Sequence, residues 1–425
     1  MRSTHDPHLS TRARYFLITL IALWLLTFPT KGVLFQLSLY LLPLSVLALK
    51  GTRTLLREHA PYTLLPLTLL LCLPVLVSEI LYVLSAHTGF SKEPFSAFWR
   101  LALFPSALAT ACIASGVSQK KLQYMLLGIA MLYAITGLLS LMTDMPLDGR
   151  DWGGRAAGLV FNPNPFGLLM AAATLVSVHL LLGAARRGEQ LVAVIFAWVF
   201  IVACLASGSR SAVLGLVTTL LLMLLWHCRK LYGFKPRDYL IPLSAISIAV
   251  ITLAYLFTQA DFMTTLTQRF SQASRGDIRL EIWTYYLKQA AENPLLGLPS
   301  RAIARFPWGD TGYGAHNIYL DTLLRSGLIG LTALLVCIAA VIRILIASTN
   351  PEKTIALPLL FLLCLFGLFS GSIYSNEMIQ GIFAIVLSIA IFSLLDMRQQ
   401  QTRMTEHDVG RSQASGSSES ERRTG

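Results

Sequence analysis

Three observations predict an all-α polytopic membrane protein: long apolar segments, short polar clusters between them, and basic residues gathered on alternate connections. Of the 425 residues, 55% are hydrophobic. A helix needs about 20 apolar residues to cross roughly 30 Å of hydrocarbon, and polar clusters that punctuate such runs are what a bilayer requires and a soluble core does not. Much of the +12 net charge lies in connections. It is therefore a topology signal, and no nucleic-acid partner is needed to explain it.

The apolar segments lie near Tyr15–Thr30, Gly32–Leu49, Pro61–Ala86, Phe95–Gly116, Leu122–Thr143 and Pro165–Leu182. A second set lies near Leu191–Ser207, Ser211–Trp226, Leu240–Phe257, Gly327–Ala347, Ile355–Ile373 and Met378–Leu395. Together they predict about twelve transmembrane helices, with the first pair open to a re-entrant reading. The first segment is preceded by polar and basic residues and lacks a small-residue cleavage site, which predicts an anchor and not a removed signal peptide.

Alternate connections carry Lys50, Arg53 and Arg57, then Lys120 and Lys121, then Arg186 and Arg187, then Arg229, Lys230, Lys235 and Arg237, then Arg343 and Lys353. The intervening ones are short or mixed in charge, as with Asp148, Arg150, Asp151 and Arg155. This alternation places both termini in the cytoplasm. The expected organisation is an N-terminal bundle of about nine spans over residues 1–258, a large external loop with amphipathic helices over 259–316, C-terminal helices over 317–397, and a disordered polar tail over 398–425.

The six cysteines lie in or beside apolar segments, so no disulfide framework is expected. No pair or cluster of ligand residues with metal spacing occurs, and neither a metal nor another cofactor is expected. Glu79 is the main charge within a span, expected either to pair with an arginine such as Arg100 or to face the cavity.

The external side carries the informative polar residues. Arg210, in SGSRSAVLGL, sits where a helix starts among small residues, a setting that favours an anion and also suits an interfacial arginine. Arg279 precedes Trp283 by one turn on a helix predicted from DIRLEIWTYYLKQAAENPLLG, whose apolar face is Ile278, Ile282, Tyr286 and Leu287. Glu281 or a lipid phosphate is an alternative partner for Arg279. His316 lies where the long loop re-enters the membrane, and an imidazole can serve as a general base or merely as a hydrogen-bonding group. Asn317 and Asp321 beyond it can orient the ring, contact substrate or cap the helix. Asn162 and Asn164 in FNPNPFG can bind hydroxyls or cap. Arg275 and Arg305 are further candidates for substrate contact or orientation, and Trp152, Trp308 and Tyr313 offer stacking faces.

The ordered set FNPNPFG, SGSRSAVLGL, RLEIW followed by NPLLGLPS, and GAHNIYLDTLLRSGLIG resembles the O-antigen ligase and polymerase superfamily over Phe161 to Gly330. The resemblance implies a GT-C type membrane glycosyltransferase of the bacterial inner membrane with a periplasmic active site. It implies an undecaprenyl pyrophosphate-linked O-antigen donor, a lipid A-core acceptor, donor pyrophosphate bound by Arg210 and Arg279, and His316 acting at the acceptor. Such chemistry is expected to proceed by one inverting displacement without metal or nucleotide, since arginines can stabilise a departing pyrophosphate. The related activities are O-antigen polymerisation and protein O-glycosylation; the short polar tail favours ligation. A transporter is the reading from another class, and it predicts an internal repeat and polar mid-span residues.

Overall fold

The computed structural model describes residues 9–30, 32–59, 65–86, 91–143, 154–184, 186–230, 278–307, 313–348, 353–394 and 397. Among them the chain is helical apart from connections and one isolated bridge between Phe306 and Tyr313. Seven described helices are long and apolar enough to cross a membrane, or eight if a bent pair is counted as one span. The expected span Leu240–Phe257, the candidate Arg275 and the tail from residue 398 lie outside the described residues.

Helices α1 (Thr11–Thr27) and α2 (Val33–Ala48) pack together and against α6 (Phe104–Ser115). Trp24 is fully buried there, with its ring 4.8 Å from Phe104 and 5.3 Å from Phe28. The basic connection that follows is itself helical: α3 (Lys50–His59) turns away from α2 by 92°. Thr52 fastens the bend by donating to the carbonyls of Val46 and Leu49.

Next come α4 (Leu65–Ala86) and α5 (Lys92–Phe98), which runs through a π-helical turn (Trp99–Leu103) into α6 (Phe104–Ser115). The expected pairing of Glu79 with Arg100 is not formed. Glu79 accepts from the Ser91 backbone N–H at 2.8 Å, at the head of α5. A carboxylate satisfies the exposed donors of a helix start. Arg100 stacks 5.3 Å above the Phe35 ring and reaches Glu377 at 3.3 Å and Gln380 at 3.1 Å. Both charged partners are largely buried, and removing one partner of such a pair costs about 3–5 kcal/mol.

Helices α7 (Gln119–Met142), α8 (Pro163–Gly183) and α9 (Arg187–Ala206) form the middle of the bundle, and α10 (Arg210–Lys230) packs on α8. Lipid tails are as apolar as leucine, so tight packing and small residues hold such helices together more than the hydrophobic effect does. Helix α8 shows this: Ala171, Ala172, Ala173, Thr174 and Ser177 are all buried.

The connecting segment between α10 and the final helices contains α11 (Ile278–Ala290), which ends before Asn293 and Pro294 as its sequence requires. Ile282 and Tyr286 are buried, whereas Leu287, expected on the same face, is 52% exposed. Helix α12 (Ile318–Ala347) starts nine residues earlier than the expected span at Gly327, because Ile318, Leu320 and Leu324 are buried and Asn317 caps the helix.

Gly327 breaks the regular path of α12 with φ 61° and ψ −164°. The loop after α11 occupies the break: Leu298 N–H donates to the Leu324 carbonyl at 2.7 Å, and Leu328 N–H donates to the Pro294 carbonyl at 2.7 Å. A Cβ at Gly327 would collide with the Leu295 carbonyl. Only glycine satisfies both the positive φ and the close backbone approach. The final helices are α13 (Lys353–Phe369), against α10 and α12, and α14 (Glu377–Leu394).

Candidate active site

The FNPNPFG segment builds one wall. Phe161 has φ 57°, and Asn162 caps α8 by accepting from the Asn164 backbone N–H at 3.0 Å. Pro163 follows at the first helical position, where its missing N–H is harmless. Asn164 accepts from an Nη of Arg155 at 2.7 Å, while Arg155 Nε donates to the Ser207 carbonyl at 2.7 Å. Arg155 is thereby held against the turn that leads into α10. That turn is made of small residues, with Ser207 and Ser209 buried, Gly208 at φ 59°, and Arg210 as the first residue of α10.

Helix α11 builds the facing wall. Arg279 lies with its guanidinium carbon 5.8 Å from the centre of the Phe369 ring. One turn on, the Trp283 indole N–H donates to the Ala315 carbonyl at 3.2 Å. Tyr286 accepts from the Phe306 backbone N–H at 3.1 Å and donates to the Tyr313 carbonyl, clasping the bridge between those residues. Burial raises the Tyr286 pKa, so its hydroxyl stays protonated and available as a donor.

These anchors set the backbone on both sides of His316, whose φ is 49°. A left-handed conformation is uncommon outside glycine and costs on the order of 1–3 kcal/mol, so the surrounding contacts hold His316 in place. The Tyr313 and His316 rings lie 5.7 Å apart. Burial lowers the His316 pKa below the ordinary 6.5, Arg279 lowers it further, and Asp321 opposes both. The imidazole is therefore neutral at pH 7 and can accept a proton.

His316 borders two cavities. One, of about 220 Å³, is lined by Arg155, Arg210 and Arg279 together with Asn164 and Tyr313, and no carboxylate is among its described lining residues. The other, of about 480 Å³, is lined by Asn162, Arg305, Asp321, Arg325, Ser372 and Glu377 among others. The structure thus brings Arg210, Arg279 and His316 together, although 106 positions separate the first from the last (316 − 210).

The remaining candidates divide. Asn162 and Asn164 cap and tether as well as line the cavities. Asn317 is a capping residue: its Oδ1 accepts from the backbone N–H groups of Tyr319 and Leu320, and its amide donates to the Leu368 carbonyl. The expectation that Asp321 orients the imidazole is replaced by another arrangement. Its Oδ1 accepts from Arg325 Nε at 2.9 Å and its Oδ2 from the Ser372 hydroxyl, so it acts on His316 through charge alone. Arg305 is exposed on the wall of the larger cavity.

Sequence reasoning missed Arg155, counting it only as a loop charge. The available signal was its position seven residues before Asn162 (162 − 155), close to a motif already singled out. Among the described residues no group of three or more His, Cys, Asp or Glu side chains could hold a metal ion.

The family model for O-antigen ligase matches residues 195–335, which include Arg210, Arg279 and His316 but not Arg155. No curated protein matches the chain.

Proposed function

We propose that the chain, which the O-antigen ligase family model matches over residues 195–335, transfers an O-antigen glycan from undecaprenyl pyrophosphate to a hydroxyl of lipid A-core at the periplasmic face of the bacterial inner membrane. The observation that carries this reading is the convergence of three arginines and His316 on one cavity.

Arginine suits a pyrophosphate because its planar fork makes paired, charge-assisted hydrogen bonds to phosphate oxygens. Arg210 adds the N-terminus of α10, whose backbone donors and dipole favour an anion. In the proposed step the acceptor oxygen attacks the anomeric carbon, and the bond from that carbon to the pyrophosphate oxygen breaks. The acceptor proton passes to neutral His316, and the arginines stabilise the charge that builds on the departing pyrophosphate. Attack from the face opposite the leaving group inverts the anomeric configuration. Within this scheme the arginines meet the electrostatic demand that a divalent ion meets in other phosphate chemistry, so the reaction is expected to proceed in EDTA.

The test is transfer by the purified full chain in liposomes containing a lipid-linked glycan donor, with EDTA present. Glycosylated lipid A-core is the expected product. Extension of the donor glycan alone would assign polymerase chemistry, and no new glycosidic bond with either acceptor would overturn the enzymatic reading.

A further inference from the structure

We propose that the 480 Å³ cavity on the other side of His316 receives the sugar of the acceptor that carries the attacking hydroxyl. This inference rests on the reading of the 220 Å³ cavity as the pyrophosphate site. An inverting displacement requires the leaving group and the nucleophile on opposite sides of one carbon, with the base beside the nucleophile. His316 borders both cavities, so a hydroxyl presented from the larger one meets the imidazole while the pyrophosphate occupies the smaller.

The wall chemistry of the larger cavity fits a polyhydroxylated ligand better than a multiply charged one. Three of the four charged side chains on its described wall are paired within the protein: Arg325 pairs with Asp321 at 2.9 Å, and Arg100, behind the wall, pairs with the lining Glu377 at 3.3 Å, while Arg305 is exposed. Ser372 donates to Asp321, and Ser300 accepts from an Nη of Arg325 at 3.2 Å. These contacts fix the directions of donors and acceptors on the wall. Such oriented groups can bind sugar hydroxyls with little further ordering. The size is also suitable, within the roughly 300–1,000 Å³ of small-ligand sites.

The experiment fills the cavity without removing a described side-chain hydrogen bond of Ser375. Ser375 is exposed and lines the cavity, and Ser375→Trp narrows it from the side of α14. Arg305→Trp narrows it from the loop side and keeps the Arg305 backbone carbonyl that accepts from Tyr285. Each full-length variant is reconstituted in nanodiscs and checked by thermal unfolding. Acceptor KM is measured at saturating lipid-linked donor with a truncated lipid A-core, and undecaprenyl pyrophosphate binding is measured separately.

At least one folded variant is expected to raise acceptor KM by roughly tenfold or more while keeping undecaprenyl pyrophosphate affinity within about twofold. Unchanged acceptor KM in both variants overturns the assignment. A rise in donor KM with unchanged acceptor KM also overturns it, since the cavity would then hold the donor glycan. The pyrophosphate reading fails by a different result, undiminished undecaprenyl pyrophosphate binding in Arg210→Ala.

Discussion

The two cavities that meet at His316 differ in how their charges are arranged. The smaller gathers Arg155, Arg210 and Arg279 with no carboxylate among its described lining residues, whereas the larger sets Arg325 beside Asp321 and places Glu377 against Arg100, with Arg305 exposed on its wall. Concentrated positive charge raises the cost of assembling a site until an anion arrives, and a matched pair carries no such dependence. The contrast separates a site shaped for a charged ligand from one shaped for a neutral, hydroxyl-rich ligand. His316, adjoining both, is where the two ligands would react.

The largest expected effect tests that junction. His316→Ala should lower single-turnover transfer by about 10²–10⁴-fold and leave undecaprenyl pyrophosphate binding intact. His316→Gln, which can hydrogen bond but is no comparable base, should be nearly as impaired; substantial transfer by this variant would end the general-base assignment. Next in size, Arg210→Ala and Arg279→Ala should each reduce transfer by about 10²–10³-fold, with poor rescue by lysine. Their loss should appear in donor binding or the chemical step and not in acceptor KM. An acceptor-specific defect would mean that the two cavities are not chemically distinct.

A smaller effect is expected for Arg155→Ala, about tenfold in undecaprenyl pyrophosphate affinity, because the change removes one guanidinium of three and loosens the tether to Ser207 and Asn164. Unaltered affinity would leave Arg155 as a scaffold alone. The mildest test is pH. Burial and Arg279 lower the His316 pKa from 6.5, so the base is predominantly neutral at pH 7 and above and becomes protonated as pH falls through its lowered value. Transfer should be flat from pH 7 to 8 and fall on the acid side by at most about tenfold per unit. Replacing Arg279 with glutamine should move that fall to higher pH in whatever activity remains, because a charge that favours the neutral ring is gone.

The helices were legible because hydropathy is a local property: eleven of the twelve expected apolar segments coincide with or overlap described helices. Arg210, Arg279 and His316 were legible for a related reason, since each sits in a short motif at a helix start or loop end. What escaped depends on distant partners. Arg155 gains its place from Ser207, 52 residues away, and Arg100 finds Glu377 at a separation of 277. No local pattern distinguishes that partner from the expected Glu79. The expected apolar span began only at Gly327 because Asp321 and Arg325 interrupt the hydropathy before it, and the burial of Leu320 and Leu324 depends on α11 folded against them.

The Gly327 break makes chain length a constraint in its own right. On one side of it α12 carries Asp321 and Arg325, which line the larger cavity; on the other it continues for twenty residues (347 − 327) as an apolar rod. The loop from Pro294 to Leu298 is stitched to both sides of the break by backbone groups, with Leu324 on one flank and Leu328 on the other. Most side chains there can change without touching those bonds. One inserted residue cannot be absorbed, since it puts every stitch out of step and lets the cavity wall pivot against its own membrane rod.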